Sequence, residues 1–115
     1  IPMNNAYQAG VLYELRSARY VRRRGYRLLN MRYRARDGEI DLIARDGDTI
    51  VFIEVKARPA GKLGAGVAAV TADKRRRLRH AADAYLSRKR LRDAPCRFDI
   101  LEFSRAGIFY MENAF

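Results

Sequence analysis

Asp41, Glu54 and Lys56 stand inside the stretch GEIDLIARDGDTIVFIEVKAR, residues 38–58, where most other positions are Ile, Val, Leu, Phe or Ala. Along a strand, side chains alternate between faces and Cα atoms two residues apart lie about 6.6 Å from each other, so Glu54 and Lys56 leave one face together. The Asp46-Gly47-Asp48 turn folds the run into a hairpin. A turn at Gly47-Asp48 sets Asp41 opposite Glu54, and a turn at Asp46-Gly47 sets it opposite Phe52, one diagonal step away. Either register keeps Asp41 on the face of Glu54 and Lys56.

Taking isolated charges out of water is costly unless they are paired or hold a metal. Two adjacent carboxylates raise each other's pKa, a penalty that a divalent cation removes. Asp41 and Glu54 therefore read as oxygen ligands for magnesium or manganese, with Glu14 on the first helix as a further ligand. Lys56 is left to orient or help deprotonate a water, or to stabilise charge building on a phosphate. The plainer alternative is a solvated Glu-x-Lys ion pair, which requires Ile50 and Phe52, on the same face, to lie beside a wet surface. Asp41 and Glu39 can also simply edge a hairpin mouth, and Glu14 can pair with an arginine.

The elements that must carry these groups are set by periodicity. Residues 6–24 read as a helix ending at Gly25, with Tyr7, Val11, Ala18 and Val21 on an apolar stripe that Leu12 and Leu15 widen. Glu14 falls on the inward side, whereas Arg16, Arg19 and Arg23 mark the wet side. Leu29, Met31 and Tyr33 alternate with Asn30, Arg32 and Arg34, predicting a half-exposed strand. Arg36-Asp37-Gly38 turns the chain into a second strand, residues 39–45. Residues 49–58, rich in β-branched and aromatic side chains, predict a third that is buried on both faces at the centre of the sheet. After Pro59 and a glycine-rich stretch, Thr71 is a good N-cap for a helix to about Arg90, with Leu78, Ala82, Tyr85 and Lys74 on its inner side. CRFDILEF and GIFYMENAF supply two closing strands. The order αβββαββ over 115 residues predicts one α/β domain, 1–115, with no internal repeat and no linker.

Charge points to the partner. Twenty-four Lys and Arg against 13 Asp and Glu leave a net +11, which favours a polyanion whose counterions are released on binding. Nucleic acid leads over a membrane surface, because no basic amphipathic helix with a large exposed apolar face is evident. No apolar run reaches membrane-span length, the N-terminus does not resemble a secretion signal, and the single Cys96 fits a reducing compartment; the cytoplasm is expected. GKLGAG lacks the ending of a phosphate loop and reads as a linker. His80 has no metal-ligand companions, KRRRLRH (74–80) reads as a solvated face or a phosphate contact, and Tyr20, Tyr26 and Tyr33 suit base stacking or core edging alike.

Residues 38–58, together with RGYRLLNMRYRA, VTADKRRRLRHAADAYL and the closing RFDIL and AF, resemble the YraN family of small bacterial proteins. That family is placed in the restriction endonuclease-like superfamily and is similar to archaeal Holliday junction resolvases. The resemblance implies a central mixed sheet flanked by helices and a PD-(D/E)xK site. Asp41 is its first acid, Glu54-Val55-Lys56 its (D/E)xK element, and Glu14 the acid of the first helix. The catalytic set so implied is Asp41, Glu54 and Lys56, and the metal set is Glu14, Asp41, Glu54 and Val55. Ile40 replaces the proline of the motif's name.

The expected activity is magnesium- or manganese-dependent endonucleolytic hydrolysis of DNA, branched or structured DNA included, with DNA favoured over RNA. Arg34, Arg36, Arg58, Lys62, Lys74 and Arg75 are the expected backbone contacts, with little base reading. A homodimer is expected if the substrate is a four-way junction. The alternatives are a nucleic-acid-binding module or adaptor that keeps the fold without cutting, and a protein-interaction scaffold whose basic surface serves solubility.

Overall fold

The computed structural model describes residues 5–58 and 70–115 of the chain, with side chains from Leu12 to Ala57 and from Val70 onward. Its centre is β3 (Thr49–Arg58), whose β-branched and aromatic residues are buried on both faces. β2 (Gly38–Asp46) and then β1 (Arg27–Ala35) pair antiparallel on one side of it. β4 (Cys96–Ser104) pairs parallel on the other side, and β5 (Gly107–Met111) closes that edge antiparallel, giving the order β1-β2-β3-β4-β5. A parallel neighbour needs a long crossover. Here the crossover carries α2 (Ala72–Arg88), while α1 (Asn5–Arg23) precedes the sheet. The αβββαββ order and the mixed, helix-flanked sheet are as the sequence predicts.

The two faces of β3 build two cores. Ile50 and Phe52 pack with Ile40 and Ile43 under Leu78, Ala82 and Tyr85 of α2. Val51 and Ile53 pack with Leu42, Ala44 and Leu101 against Val21 of α1. Thr71 caps α2 by accepting the Lys74 N–H at 3.2 Å, as its side-chain chemistry predicts. α1 ends in a Schellman pair: Tyr26 N–H donates to the Val21 carbonyl and Gly25 N–H to that of Arg22. Gly25 sits at φ 87°, a conformation that costs glycine little.

Two expectations need correction. Leu12 and Leu15 do not widen the buried stripe of α1; they are 54% and 65% exposed. Ser17, Ala18 and Val21 are the buried positions there, with the Ser17 hydroxyl turned back to the Tyr13 carbonyl at 2.6 Å. Small residues seat this helix, so its contact stripe is narrower than hydropathy suggests. The side chains of Tyr7 and Val11 lie outside the described residues. Second, Leu29, Met31 and Tyr33 do not share one face of β1. A bulge between Leu28↔Ala44 and Asn30↔Ile43 inserts Leu29, and Arg32 sits at φ 51°. The extra residue turns Met31 to the α1 side, and the left-handed backbone at Arg32 breaks the alternation again before Tyr33. Leu28 and Met31 therefore join the α1 core while Leu29 and Tyr33 join the α2 core.

Asp99, fully buried on β4, is satisfied structurally. It accepts from Arg97 Nε at 3.1 Å, from the Tyr110 hydroxyl and from Asn113 N–H at 2.9 Å. Arg97 also reaches Asp46 at 3.0 Å and the Tyr26 hydroxyl at 2.7 Å, so this network ties β2, β4 and the end of α1 together.

Candidate active site

The β2–β3 ladder runs from Asp46↔Thr49 to Leu42↔Ile53 and stops there. Of the two registers open to the sequence, the one with the turn at Gly47-Asp48 is observed; Gly47 takes φ 59°. Continued by one step, the ladder would set Asp41 opposite Glu54. Instead β2 parts from β3, and Asp41 Oδ2 accepts the Val55 N–H at 2.7 Å. A side-chain carboxylate thus satisfies an amide of the central strand where ladder pairing ends. The hydrogen bond also pins Asp41 beside Glu54.

Glu54 is only 6% exposed and lies on the α2 side of β3, with Ile50 and Phe52. Its Oε1 stands 3.6 Å from Lys56 Nζ on the same strand and 3.4 Å from Lys74 Nζ on the first turn of α2. Burial, and then the charge of Glu54, pushes the Asp41 carboxyl up to about 7; the Val55 amide and Lys74 pull the other way. Lys56 is held below its usual range, chiefly by burial, with Lys74 adding to the effect and Glu54 opposing it. Two acids and two ammonium groups therefore share one poorly solvated spot.

On the α1 side a cavity of about 200 Å³ opens at the same place, lined by Tyr13, Glu14, Arg32, Asp41, Val55 and Ala57 among others. Glu14 reaches it and is ion-paired with Arg32. Among the described residues no three His, Cys, Asp or Glu side chains gather closely enough to hold an ion together. Asp41 and Glu54 are brought together; Glu14 faces the cavity but is engaged by the arginine.

The expected backbone contacts divide. Arg34 is largely exposed and 3.8 Å from Glu39, and Arg36 is exposed. Arg75 is half-buried, donating to the Val70 carbonyl at 3.1 Å and lying over the Phe115 ring. Lys74 points into the acid pair. The side chain of Arg58, and Lys62 with the GKLGAG stretch, lie outside the described residues. His80 is exposed, 3.7 Å from Asp37. Tyr26 is buried in the α1 core, while Tyr20 packs its ring on Tyr110 and Tyr33 on Tyr85. Sequence reasoning did not find Arg32. A cation in a strand next to a bulge carries no mark of its own, and only an acid at the matching height on α1 could have suggested it.

The donor set is chemically suited to a hard cation: two carboxylates that repel each other, one of them holding its proton to near neutrality because of burial and its neighbour's charge. Asp41 and Glu54 would supply the oxygens, with Glu14 at hand across the cavity once released from Arg32.

Residues 13–103, which include Glu14, Asp41, Glu54, Lys56 and Lys74, match the family described as "Uncharacterised protein family UPF0102". A "UPF0102 protein" of Syntrophus aciditrophicus is 46% identical over 102 residues, covering 89% of this chain and 80% of the relative. Another, of Geobacter metallireducens, is 43% identical over 100 residues, covering 84% of this chain and 82% of its own. The "UPF0102 protein YraN" of Salmonella arizonae is 40% identical over 110 residues, covering 94% and 84%.

Proposed function

The chain belongs to the uncharacterised protein family UPF0102, and from that premise we propose that it is a magnesium-dependent endonuclease that hydrolyses phosphodiester bonds in DNA, branched or structured DNA included. The observation that carries this reading is the convergence of Asp41 and Glu54, with Lys56 alongside, where β2 leaves β3. A bound divalent cation supplies Lewis acidity toward a phosphoryl oxygen and lowers the pKa of water. Asp41, Glu54 and the Val55 backbone would hold it, and Glu14 would join them on release from Arg32.

The protein's own groups do the rest. Lys56, kept below its ordinary pKa by burial, gives up a proton more readily than a surface lysine and sits beside the acids, where it orients the attacking water or takes its proton. The water oxygen bonds to phosphorus, the bond to the leaving sugar oxygen breaks, and that oxygen picks up a proton. Lys74 and the exposed Arg34 and Arg36 offer positive charge to the backbone around the cut. A net charge of +11 supports a polyanionic substrate. No helix among the described residues is long and apolar enough to cross a membrane. A cytoplasmic site of action, and a homodimer on four-way junctions, go with this reading.

A second reading is favoured by one observation: Glu54 already has Lys56 and Lys74, and Glu14 has Arg32. With those acids neutralised from within, the fold can serve as a nucleic-acid-binding adaptor that does not cut. The deciding experiment incubates the purified chain with linear, forked and four-way DNA, with and without magnesium. Metal-dependent nicking lost in Asp41→Asn and Lys56→Ala, with DNA binding retained, supports the nuclease. Binding without cleavage of any substrate leaves the adaptor.

A further inference from the structure

At the end of the α2 face remote from Asp41, positive charge collects with no acid to meet it. Arg27 and Arg45 are register partners on β1 and β2, so their side chains leave one face side by side. Like charges directly opposite each other are destabilising. Arg88 closes α2 and Lys89 is its C-cap. Among the described residues none of these four cations has an ion-pair partner. Complementing the macrodipole accounts for basic groups at a helix end, but not for the two arginines on the strands.

The Nε–H of Arg45 is sealed from solvent and has no hydrogen-bond partner. A buried donor in that state is rare enough to call for a missing partner. Close by is a cavity of about 230 Å³ lined by Leu29, Asn30, Tyr33, Tyr85, Arg88 and Lys89, with no acidic residue in its wall. The rings of Tyr33 and Tyr85 meet edge to face at 5.2 Å. Burial and then Tyr33 push the Tyr85 hydroxyl up in pKa, while the charge of Arg45 pulls it down, so the guanidinium is near that phenol. The Arg88 guanidinium, the Lys89 ammonium, the phenols of Tyr33 and Tyr85 and the Asn30 amide around this hollow match a tetrahedral oxyanion, which accepts several hydrogen bonds and whose charge offsets that of the Arg45 guanidinium behind Tyr85.

We propose that this cavity binds a phosphate group, either free or carried by a nucleic-acid backbone. The site is separate from the candidate active site: Arg45 lies four residues from Asp41 along β2, about 13 Å away. It does not depend on whether the chain cuts. If the phosphate belongs to DNA, the cavity anchors the backbone on the same face of the sheet as Glu54.

The test is an NMR titration of the full chain with inorganic phosphate, at constant ionic strength and with chloride as the control. Saturable shifts should centre on the amides of Asn30, Tyr33, Arg45 and Lys89. Arg88→Gln should weaken phosphate about tenfold, the loss of one charge-assisted hydrogen bond, and Arg45→Met should weaken it less, by removing a nearby charge. Arg88→Gln changes an exposed position and keeps the test available should Arg45→Met fail to fold. A DNA arm identifies the source: if Arg88→Gln lowers the slope of log affinity against log salt by about one, the phosphate is the backbone's. An unchanged slope with phosphate binding weakened assigns the site to a free phosphate. Shifts no different from those with chloride, or full phosphate affinity in Arg88→Gln, overturn the proposal.

Discussion

Asp41 Oδ2 and the Val55 amide, 2.7 Å apart, mark the point where β2 gives up its ladder with β3. The bond orients an acid that the sheet could otherwise have turned to solvent, and it does so from the residue between Glu54 and Lys56. Asp41→Asn keeps an oxygen able to accept this amide while removing the charge that opposes Glu54. The variant should fold with unchanged or higher stability without metal. It should also lose any rise in Tm on adding magnesium, since a ligand stabilises only the state that binds it. Thermal melts of both proteins across a magnesium series check this. An equal magnesium shift in the variant would take Asp41 out of the metal set.

The raised pKa of Asp41 fixes a second expectation and its sign. Unfolded, the carboxyl titrates near 3.8; folded, it holds its proton to about 7. Between those values the folded chain binds more protons, so this group's contribution is fully present below pH 4 and is lost as pH rises through 7. Metal-free wild type should therefore lose Tm relative to Asp41→Asn between about pH 4 and pH 7, with the gap constant above that window. Parallel profiles for the two proteins would mean that Asp41 is ionised throughout.

Glu54 and Lys74 link β3 to α2 across 3.4 Å. Glu54→Gln removes the partner of two ammonium groups and should destabilise the chain by about 1–3 kcal/mol, as for other hydrogen-bonded charges left without a counterpart. Lys74→Met should cost less, because Lys56 remains. Urea denaturation of the two single variants and the double variant gives the coupling, expected at about 1 kcal/mol. Strict additivity would show the contact to be energetically idle.

Legibility in the sequence differs by element. β3 and α2 are readable because their signals agree at several levels: a β-branched run bounded by turns, and Thr71 ahead of a helical stripe. The meeting of Asp41 with Glu54 is only half readable: both turn registers set them on one face, but the ladder ends at Leu42 and Asp41 instead turns its carboxylate to the Val55 amide at the rim of the α1-side cavity. The bulge in β1 is not readable, because Leu28 and Leu29 are both apolar and either can face a core. Nor is the seat of α1, where Ser17 and Ala18 displace Leu12 and Leu15 through closeness of approach rather than hydropathy. Lys74 is half visible: its place on the inner stripe is clear, but its target depends on how α2 lies over the sheet.

Gly38 tests whether that placement of α2 matters to the site. A Cβ there would stand 2.7 Å from the Arg77 carbonyl oxygen, a backbone atom that cannot swing aside. Gly38→Ala must therefore push the start of β2 and the first turns of α2 apart, at a cost of about 1–3 kcal/mol typical of overpacking. Lys74, one turn before Arg77, moves with the helix, whereas Glu54 stays on β3. The coupling between Glu54 and Lys74 should fall in the Gly38→Ala background, even where the variant remains folded by circular dichroism. Repeating the double-mutant cycle in that background checks this; an undiminished coupling would show that Lys74 tracks Glu54 independently of the helix that carries it.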